Sequence, residues 1–284
     1  MSAKSMRTGF RAFRLFCLWA LGPALGVAVG AAPPAGTQDH RAVDLELALL
    51  VDTSGSVSDE EFNLQVRGLA EAFRHRSVAQ AIRAAGDLGL AVALIQWANS
   101  RQHALSVDWT VIHDEKTAGD FAEKVENMPR SVAGDTAIGS VLEFAVPQFS
   151  ANGFQGRRRV IDISGDGRTN EGPESWLGRD AAVAHGITVN GLAILNEEPT
   201  LDRYFSTNVI GWIGAFVMTA NDYEAFREAI VAKLIKEISG ALLAQRPAPP
   251  SIVLSGSAVA DNPAVKMTQP ENLASAGGRA FAQF

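Results

Sequence analysis

From Val43 onward, unbroken apolar runs alternate with segments whose apolar residues recur every three or four positions. Val43 to Val51 is rich in leucine and β-branched residues, with acids only near its start. That pattern predicts a central strand buried on both faces. Ser58 is followed three residues on by Glu61, the signature of a capping box, so a helix is predicted to begin there and run to about His75. Leu88 to Trp97 reads as a second buried strand, and Gln102 to Trp109 alternates like a shorter edge strand. Helices are predicted over Thr117 to Glu126 and Thr136 to Phe149. Arg158 to Ser164 reads as a strand, Pro173 to His185 as a helix, Ile187 to Leu195 as a strand, and Ala215 to Thr219 as a short one. Asp222 to Leu243 closes the pattern as a long helix with Phe226, Ile230, Leu234 and Ile238 on one face.

Strands alternating with helices imply βαβ units. The expected fold class is therefore α/β: a doubly wound, mostly parallel central sheet with helices on both faces. No internal repeat interrupts this order.

The ends have a different texture. Lys4, Arg7, Arg11 and Arg14 form a basic leader without acids, and Leu15 to Ala32 is apolar and ends in small residues before Pro33-Pro34. Residues 1–32 are thus expected to be a secretory signal peptide, which implies a secreted or periplasmic protein. An uncleaved membrane anchor is the alternative, but Gly22-Pro23 inside the run and its Gly/Ala-rich end favour cleavage. The residues before Cys17 do not fit a lipoprotein site. Residues 33–42 read as a linker and 43–243 as the folded domain. Residues 244–284, rich in Ala, Ser, Gly and Pro, read as a low-complexity and disordered tail with one apolar stretch, Ile252 to Leu254.

Charge and cysteine usage narrow the function classes. Loss of the four leader cations would take the formal net charge from −6 to −10, leaving no general attraction for nucleic acid or anionic membrane. The one cysteine, Cys17, would leave with the leader, which excludes disulfides, thiol chemistry and cysteine-ligated zinc.

Candidate chemistry collects in three loops placed at the carboxyl ends of strands, where open α/β sheets bind ligands. They are Asp52-Thr-Ser54-Gly-Ser56, Gly134-Asp-Thr136-Ala-Ile-Gly139, and Ser164-Gly-Asp166-Gly-Arg-Thr-Asn170. Together they are rich in carboxylates and hydroxyls, from which two carboxylates and three hydroxyls would make an all-oxygen set suited to a hard divalent cation.

Asp-x-Ser-x-Ser after the first strand, a later Gly-x-Thr before a helix and Asp-Gly after a later strand resemble the von Willebrand factor type A domain. The resemblance covers roughly Val43 to Leu243 and extends to a group of secreted bacterial proteins of uncharacterised function. It implies a Rossmann-like sheet with one antiparallel edge strand and a metal-ion-dependent adhesion site at Asp52, Ser54, Ser56, Thr136 and Asp166. Ser54, Ser56 and Thr136 would then touch the metal, with Asp52 and Asp166 acting largely through water. Magnesium is the expected cofactor, with manganese or calcium as alternatives. Neutral hydroxyl ligands leave the ion much of its positive charge, and the positive end of the helix at Ser58 adds to it, so the expected partner is a protein offering a Glu or Asp carboxylate. In adhesive members of the family the closing helix shifts when the metal site changes state; Asp222 to Leu243 is the matching element.

Other chemistries fit less well. Asp162-x-Ser164-x-Asp166-Gly167 opens like a helix-loop-helix calcium loop, but its twelfth position is Pro173 and a strand precedes it. No Gly-x-Ser-x-Gly surrounds Ser54 or Ser56, and none of His40, His75, His103, His113 and His185 lies in the three loops. Phosphate-binding glycine motifs are also missing. An enzyme is not expected; a hydrolase activating water at the same metal is the rival reading, and a domain with a degraded site a third. Arg157-Arg-Arg159 is expected to be solvated at a strand's start, Trp212-Ile213 to anchor a loop by burial, and His185 to end a helix. Asp261 and Glu271 give the tail carboxylates that could reach a neighbouring molecule's site.

Overall fold

The computed structural model describes residues 40–244. The expected leader, the linker up to residue 39 and the tail from residue 245 lie outside the described residues.

Six strands form one sheet in the order β3-β2-β1-β4-β5-β6. They are β1 (Arg41–Asp52), β2 (Leu90–Trp97), β3 (His103–Ile112), β4 (Phe154–Gly165), β5 (Thr188–Ile194) and β6 (Val217–Ala220). Every neighbouring pair is parallel except β2 and β3, so β3 is the antiparallel edge. The helices are α1 (Asp59–Arg74), α2 (Arg76–Ala85), α3 (Glu115–Glu126), α4 (Ile138–Ala151), α5 (Ser175–Ala184), α6 (Leu201–Tyr204) and α7 (Tyr223–Ala244). This is the doubly wound α/β fold that the pattern implied.

The pleat sorts the apolar residues of β1 into two cores. Leu45, Leu47 and Leu49 pack with Leu69, Phe73, Ile82, Phe121 and Phe226 from α1, α2, α3 and α7. Ala48 and Leu50 face the other way, towards Ile138, Leu142, Ala182 and Leu201 of α4, α5 and α6. Each fully buried leucine or phenylalanine contributes about 1.5–3 kcal/mol, so the two-sided burial of β1 fixes the sheet's centre. The four apolar positions foreseen on the closing helix are all in the first core.

Sequence patterning missed or misplaced several elements. The helix capped by Ser58 ends at Arg74, and α2 follows after the extended residue His75, whose Nδ1 accepts from the amide of Ser77 at 3.2 Å. Histidine is a weak capping signal, so nothing in the sequence marked this break. Helix α4 begins at Ile138 and α5 at Ser175, each two residues later than their turn chemistry suggested. A short helix and π-helical turn, Leu201 to Val209, carry no strong periodicity.

Strand β4 starts at Phe154, which puts Arg157 to Arg159 inside it instead of at its start. These arginines are not simply solvated: Arg157 pairs with Asp44 at 3.0 Å and Arg159 with Glu46 at 3.4 Å. Trp212 and Ile213 overturn the expected buried anchor, since they are 49% and 89% exposed. His185 does end a helix, with its Nδ1 2.8 Å from the carbonyl of Ala181. Among the described residues no helix is long and apolar enough to cross a membrane.

Candidate metal centre

β1 and β4 are parallel neighbours at the centre of the sheet, and the chain leaves their carboxyl ends towards opposite faces. The crevice that results is the switch point of a doubly wound sheet. Asp52 is the last residue of β1, and Asp166 follows the last residue of β4, so two carboxylates meet there.

Asp52 is fully buried. Its Oδ1 accepts from the amide of Ser54 at 2.8 Å, which closes the turn, while its Oδ2 has no hydrogen-bond partner among the described residues. Gly165 makes room for that oxygen: a Cβ there would lie 2.9 Å from Oδ2. Behind Asp52, Gln65 of α1 donates to its carbonyl at 3.0 Å. Thr53 points the other way and donates to the carbonyl of Trp97 at 3.0 Å, which leaves Ser54 and Ser56 turned to the crevice.

The hydroxyls of Ser54 and Ser56 lie 3.2 Å apart, and Ser56 donates to Asp166 Oδ1 at 2.8 Å. Asp166 Oδ2 accepts from the hydroxyl of Tyr223 at 3.0 Å. The second loop arrives through the amide of Gly55, which donates to the carbonyl of Gly134 at 2.6 Å. Gly134 has φ +146°, and a Cβ on it would sit 2.6 Å from Asn99 Nδ2, so only glycine fits. Two residues on, Thr136 is held by its backbone alone. Its amide donates to Asn170 Oδ1 at 2.8 Å and its carbonyl accepts from the Asn170 amide at 2.9 Å. Its hydroxyl faces Gly167 of the third loop.

The structure therefore brings Asp52, Ser54, Ser56 and Asp166 into one bonded chain and sets Thr136 at its rim, nearly buried. The residues that brace this arrangement were not foreseen. Arg130 donates through Nη2 to the carbonyls of Thr53, Ser54 and Val57 at 2.9, 3.1 and 2.8 Å, and through Nη1 to Asp59 at 2.9 Å. Thr169 caps α4 from the neighbouring loop, its Oγ1 accepting from the Ile138 amide at 3.2 Å. The capping box at Ser58 is formed as expected, with Glu61 Oε2 2.8 Å from the Ser58 amide.

Burial and then the charge of Asp166 push the Asp52 carboxyl up to about 7. Burial also raises the Asp166 carboxyl, against the hydrogen bonds from Ser56 and Tyr223. Two carboxylates held this close in a dry crevice, one with a free oxygen, lack a compensating positive charge. The guanidinium of Arg130 does not supply it, because its two terminal nitrogens are spent on carbonyls behind the loop and on Asp59. Among the described residues no group of three or more His, Cys, Asp or Glu side chains is arranged to hold a metal. A cation at the crevice would instead meet two carboxylates and three hydroxyls, a set that fits a hard ion.

The competing chemistries find no support in the geometry. Asp162 is buried within β4 and pairs with Lys233 of α7, so it is not free to share a calcium loop with Asp166. No histidine bonds to Ser54 or Ser56; His103, for instance, is stacked on Phe144 with ring centres 5.0 Å apart.

Comparison with known proteins agrees with the fold. The family described as "Protein of unknown function (DUF1194)" matches residues 42–242. The structure of proximal thread matrix protein 1 from the mussel byssus superposes with a TM-score of 0.52 at 16% identity, over 70% of this chain and 48% of that one. The pilus adhesin SpaC from Lactobacillus rhamnosus GG gives 0.50 at 15% identity, over 69% and 30%. A von Willebrand factor type A structure from Catenulispora acidiphila gives 0.50 at 14% identity, over 70% and 43%. At these identities the likeness is one of fold, and the chain spans less than half the length of each. No curated protein matches the sequence.

Proposed function

The chain belongs to the DUF1194 family and has a von Willebrand factor type A fold, and from that premise we propose that it is a secreted module which binds a divalent cation and, through it, a partner protein. The cation, magnesium in the first instance, would be held by Asp52, Ser54, Ser56, Thr136 and Asp166. A bound cation supplies concentrated positive charge with room for one more anionic oxygen, which suits a Glu or Asp side chain of the partner.

The observation that carries this reading is the buried Asp52 beside Asp166, one of its oxygens left without a partner. An unpaired carboxylate in a dry site is costly and persists where a ligand compensates it. The chain's own residues hold everything else in place. Ser56 and Tyr223 orient the two oxygens of Asp166, Arg130 braces the first loop, and Gly134 lets the second loop approach. With no histidine placed against Ser54 or Ser56, recognition is the role we assign; nothing in the site requires a bond to be broken.

Titration calorimetry with magnesium, manganese and calcium tests the cation. Affinity capture in magnesium against chelator tests the partner, with Asp52→Ala and Thr136→Ala as controls. Binding of a cation, and capture that depends on it and on both residues, is expected, while esterase and phosphatase screens stay flat. Absence of binding for all three cations would sink the reading. Hydrolysis lost in Asp52→Ala would replace it with the rival that activates water at the metal.

A further inference from the structure

At the other end of the sheet, where β4 and β5 begin, lies an open cavity of about 1000 Å³. Its walls are Arg158 and Asn190 of the sheet, Lys236 and Glu237 of α7, and the loop from Trp212 to Phe216. The charges here are unevenly paired. Arg157 and Arg159 are matched by Asp44 and Glu46, and Lys233 by Asp162 and Glu237. Arg158, by contrast, donates to the carbonyl of Glu237 at 3.0 Å, and among the described residues no carboxylate lies within ion-pair distance of it. The ammonium of Lys236 likewise has no carboxylate partner among the described residues and sits 3.9 Å from the centre of the Phe216 ring. Two cations, Arg158 of β4 and Lys236 of α7, thus face one cavity without an ion-pair partner among the described residues.

The same cavity carries the most exposed large apolar side chain among the described residues, Ile213, next to Trp212. Trp212 is also the one non-glycine residue among them with positive φ, at +88°. The loop is not slack: Gly211 exchanges two hydrogen bonds with Val189 at 3.0 and 3.1 Å, and the Ala215 amide donates to the Trp212 carbonyl at 3.2 Å. A strained aromatic held out to solvent by a pinned loop is a functional signal. The floor is built as well, since Asn190 bonds both Glu237 Oε1 and the amide of Phe216.

We infer that this groove binds a small amphipathic monocarboxylate, an apolar chain or ring of medium size bearing one acid group. Its carboxylate lies against Arg158 and Lys236, and its apolar body covers Phe216, Trp212 and Ile213. A single acid group is favoured over a phosphate because Asp162 and Glu237 already engage Lys233, leaving only Arg158 and Lys236 to meet the ligand. The cavity's size is that of a one-ligand pocket, which favours a free molecule over a protein surface.

Titration calorimetry of the full chain with decanoate, and with decanol as its uncharged counterpart, tests this. Decanoate is expected to bind at least about tenfold more tightly than decanol. Lys236→Glu and Trp212→Ala, both at exposed side chains, are each expected to weaken it about tenfold with unchanged melting temperature. Asp52→Ala is expected to leave decanoate binding intact, which separates this site from the cation cradle. No binding up to the solubility limit of decanoate, or undiminished binding in either groove variant, would overturn the inference. So would binding of phosphatidylglycerol vesicles in place of decanoate, or a dimer abolished by Ile213→Asp, because the surface would then serve a membrane or a second copy.

Discussion

Tyr223, the first residue of α7, donates its hydroxyl to Asp166 Oδ2 at 3.0 Å. One buried hydrogen bond therefore ties the closing helix to a carboxylate of the cradle. Among the described residues that oxygen has no other partner, so any change in the charge or position of Asp166 is felt at the start of α7. Tyr223→Phe is expected to cost about 1–3 kcal/mol in chemical denaturation, because it leaves a buried carboxylate oxygen unsatisfied. In the unsubstituted protein, amide exchange along α7 is expected to differ between magnesium and chelator, and Tyr223→Phe to shrink that difference. Identical protection with and without magnesium would show that the bond transmits nothing.

Asp52→Asn separates the cost of the cradle from its use. Burial and Asp166 hold the Asp52 carboxyl at about 7, so in metal-free protein near neutral pH this residue opposes folding. The amide is expected to keep or raise the metal-free melting temperature while reducing cation affinity by at least about tenfold. Loss of stability without loss of affinity would mean that Asp52 is structural only. A gain in one and a loss in the other is the pattern of a site kept for function.

The sequence made the first loop legible because its parts are local. Asp52, Ser54 and Ser56 lie within five residues, and an apolar run, a capping box and a glycine mark where the strand stops and the helix starts. The alternation of buried strands and amphipathic helices likewise gave the sheet. What stayed hidden depends on contacts far apart in the chain. Arg130 stands in an unpatterned loop, and only the folded chain brings it beneath the turn from Thr53 to Val57. Lys233 and Glu237 look like an ordinary exposed i,i+4 pair, yet both are buried against Asp162 of β4. Periodicity assigns charged residues to the solvent face, and a buried ion pair breaks that rule without leaving a trace in spacing. Trp212 failed for the opposite reason: an aromatic between glycines is normally an anchor, and its exposure follows from a backbone angle that no composition records.

Arg130 gives a test of how far the cradle depends on its support. Its two terminal nitrogens satisfy three carbonyls of the first loop and Asp59, a pattern that requires the planar fork of a guanidinium. Arg130→Ala is expected to lower cation affinity about tenfold, in the range found when outer groups that orient metal ligands are removed. Arg130→Lys is expected to retain part of it, since an ammonium cannot reproduce the fork. Calorimetric titration with manganese compares the three proteins. Equal affinities would show that the turn holds its shape unaided.

The buried pair on α7 predicts a pH dependence of its own. Burial, then the charge of Asp162, pushes the Glu237 carboxyl from an ordinary 4.5 to about 8, against the pull of Lys233. Lys233 and Asn190 both bond Oε1, Arg158 donates to the backbone carbonyl, and Oε2 has no partner, which leaves it free to carry a proton. Between about pH 4.5 and 8 the folded state keeps a proton that the unfolded chain has released, so stability falls as pH rises. The contribution is complete below that window and gone above it. Lys233 is raised from its usual 10.5, so its own titration lies outside the window. Asp52 adds a fall of the same sign, but equally in any variant that leaves the cradle intact. Urea denaturation of metal-free protein and of Glu237→Gln at intervals from pH 5 to pH 8 isolates the effect, since glutamine keeps the hydrogen bonds and cannot ionise. The stability of wild type relative to Glu237→Gln is expected to decline steadily across the series. A constant difference would mean that Glu237 is ionised throughout and that Lys233 is shared between two charged carboxylates.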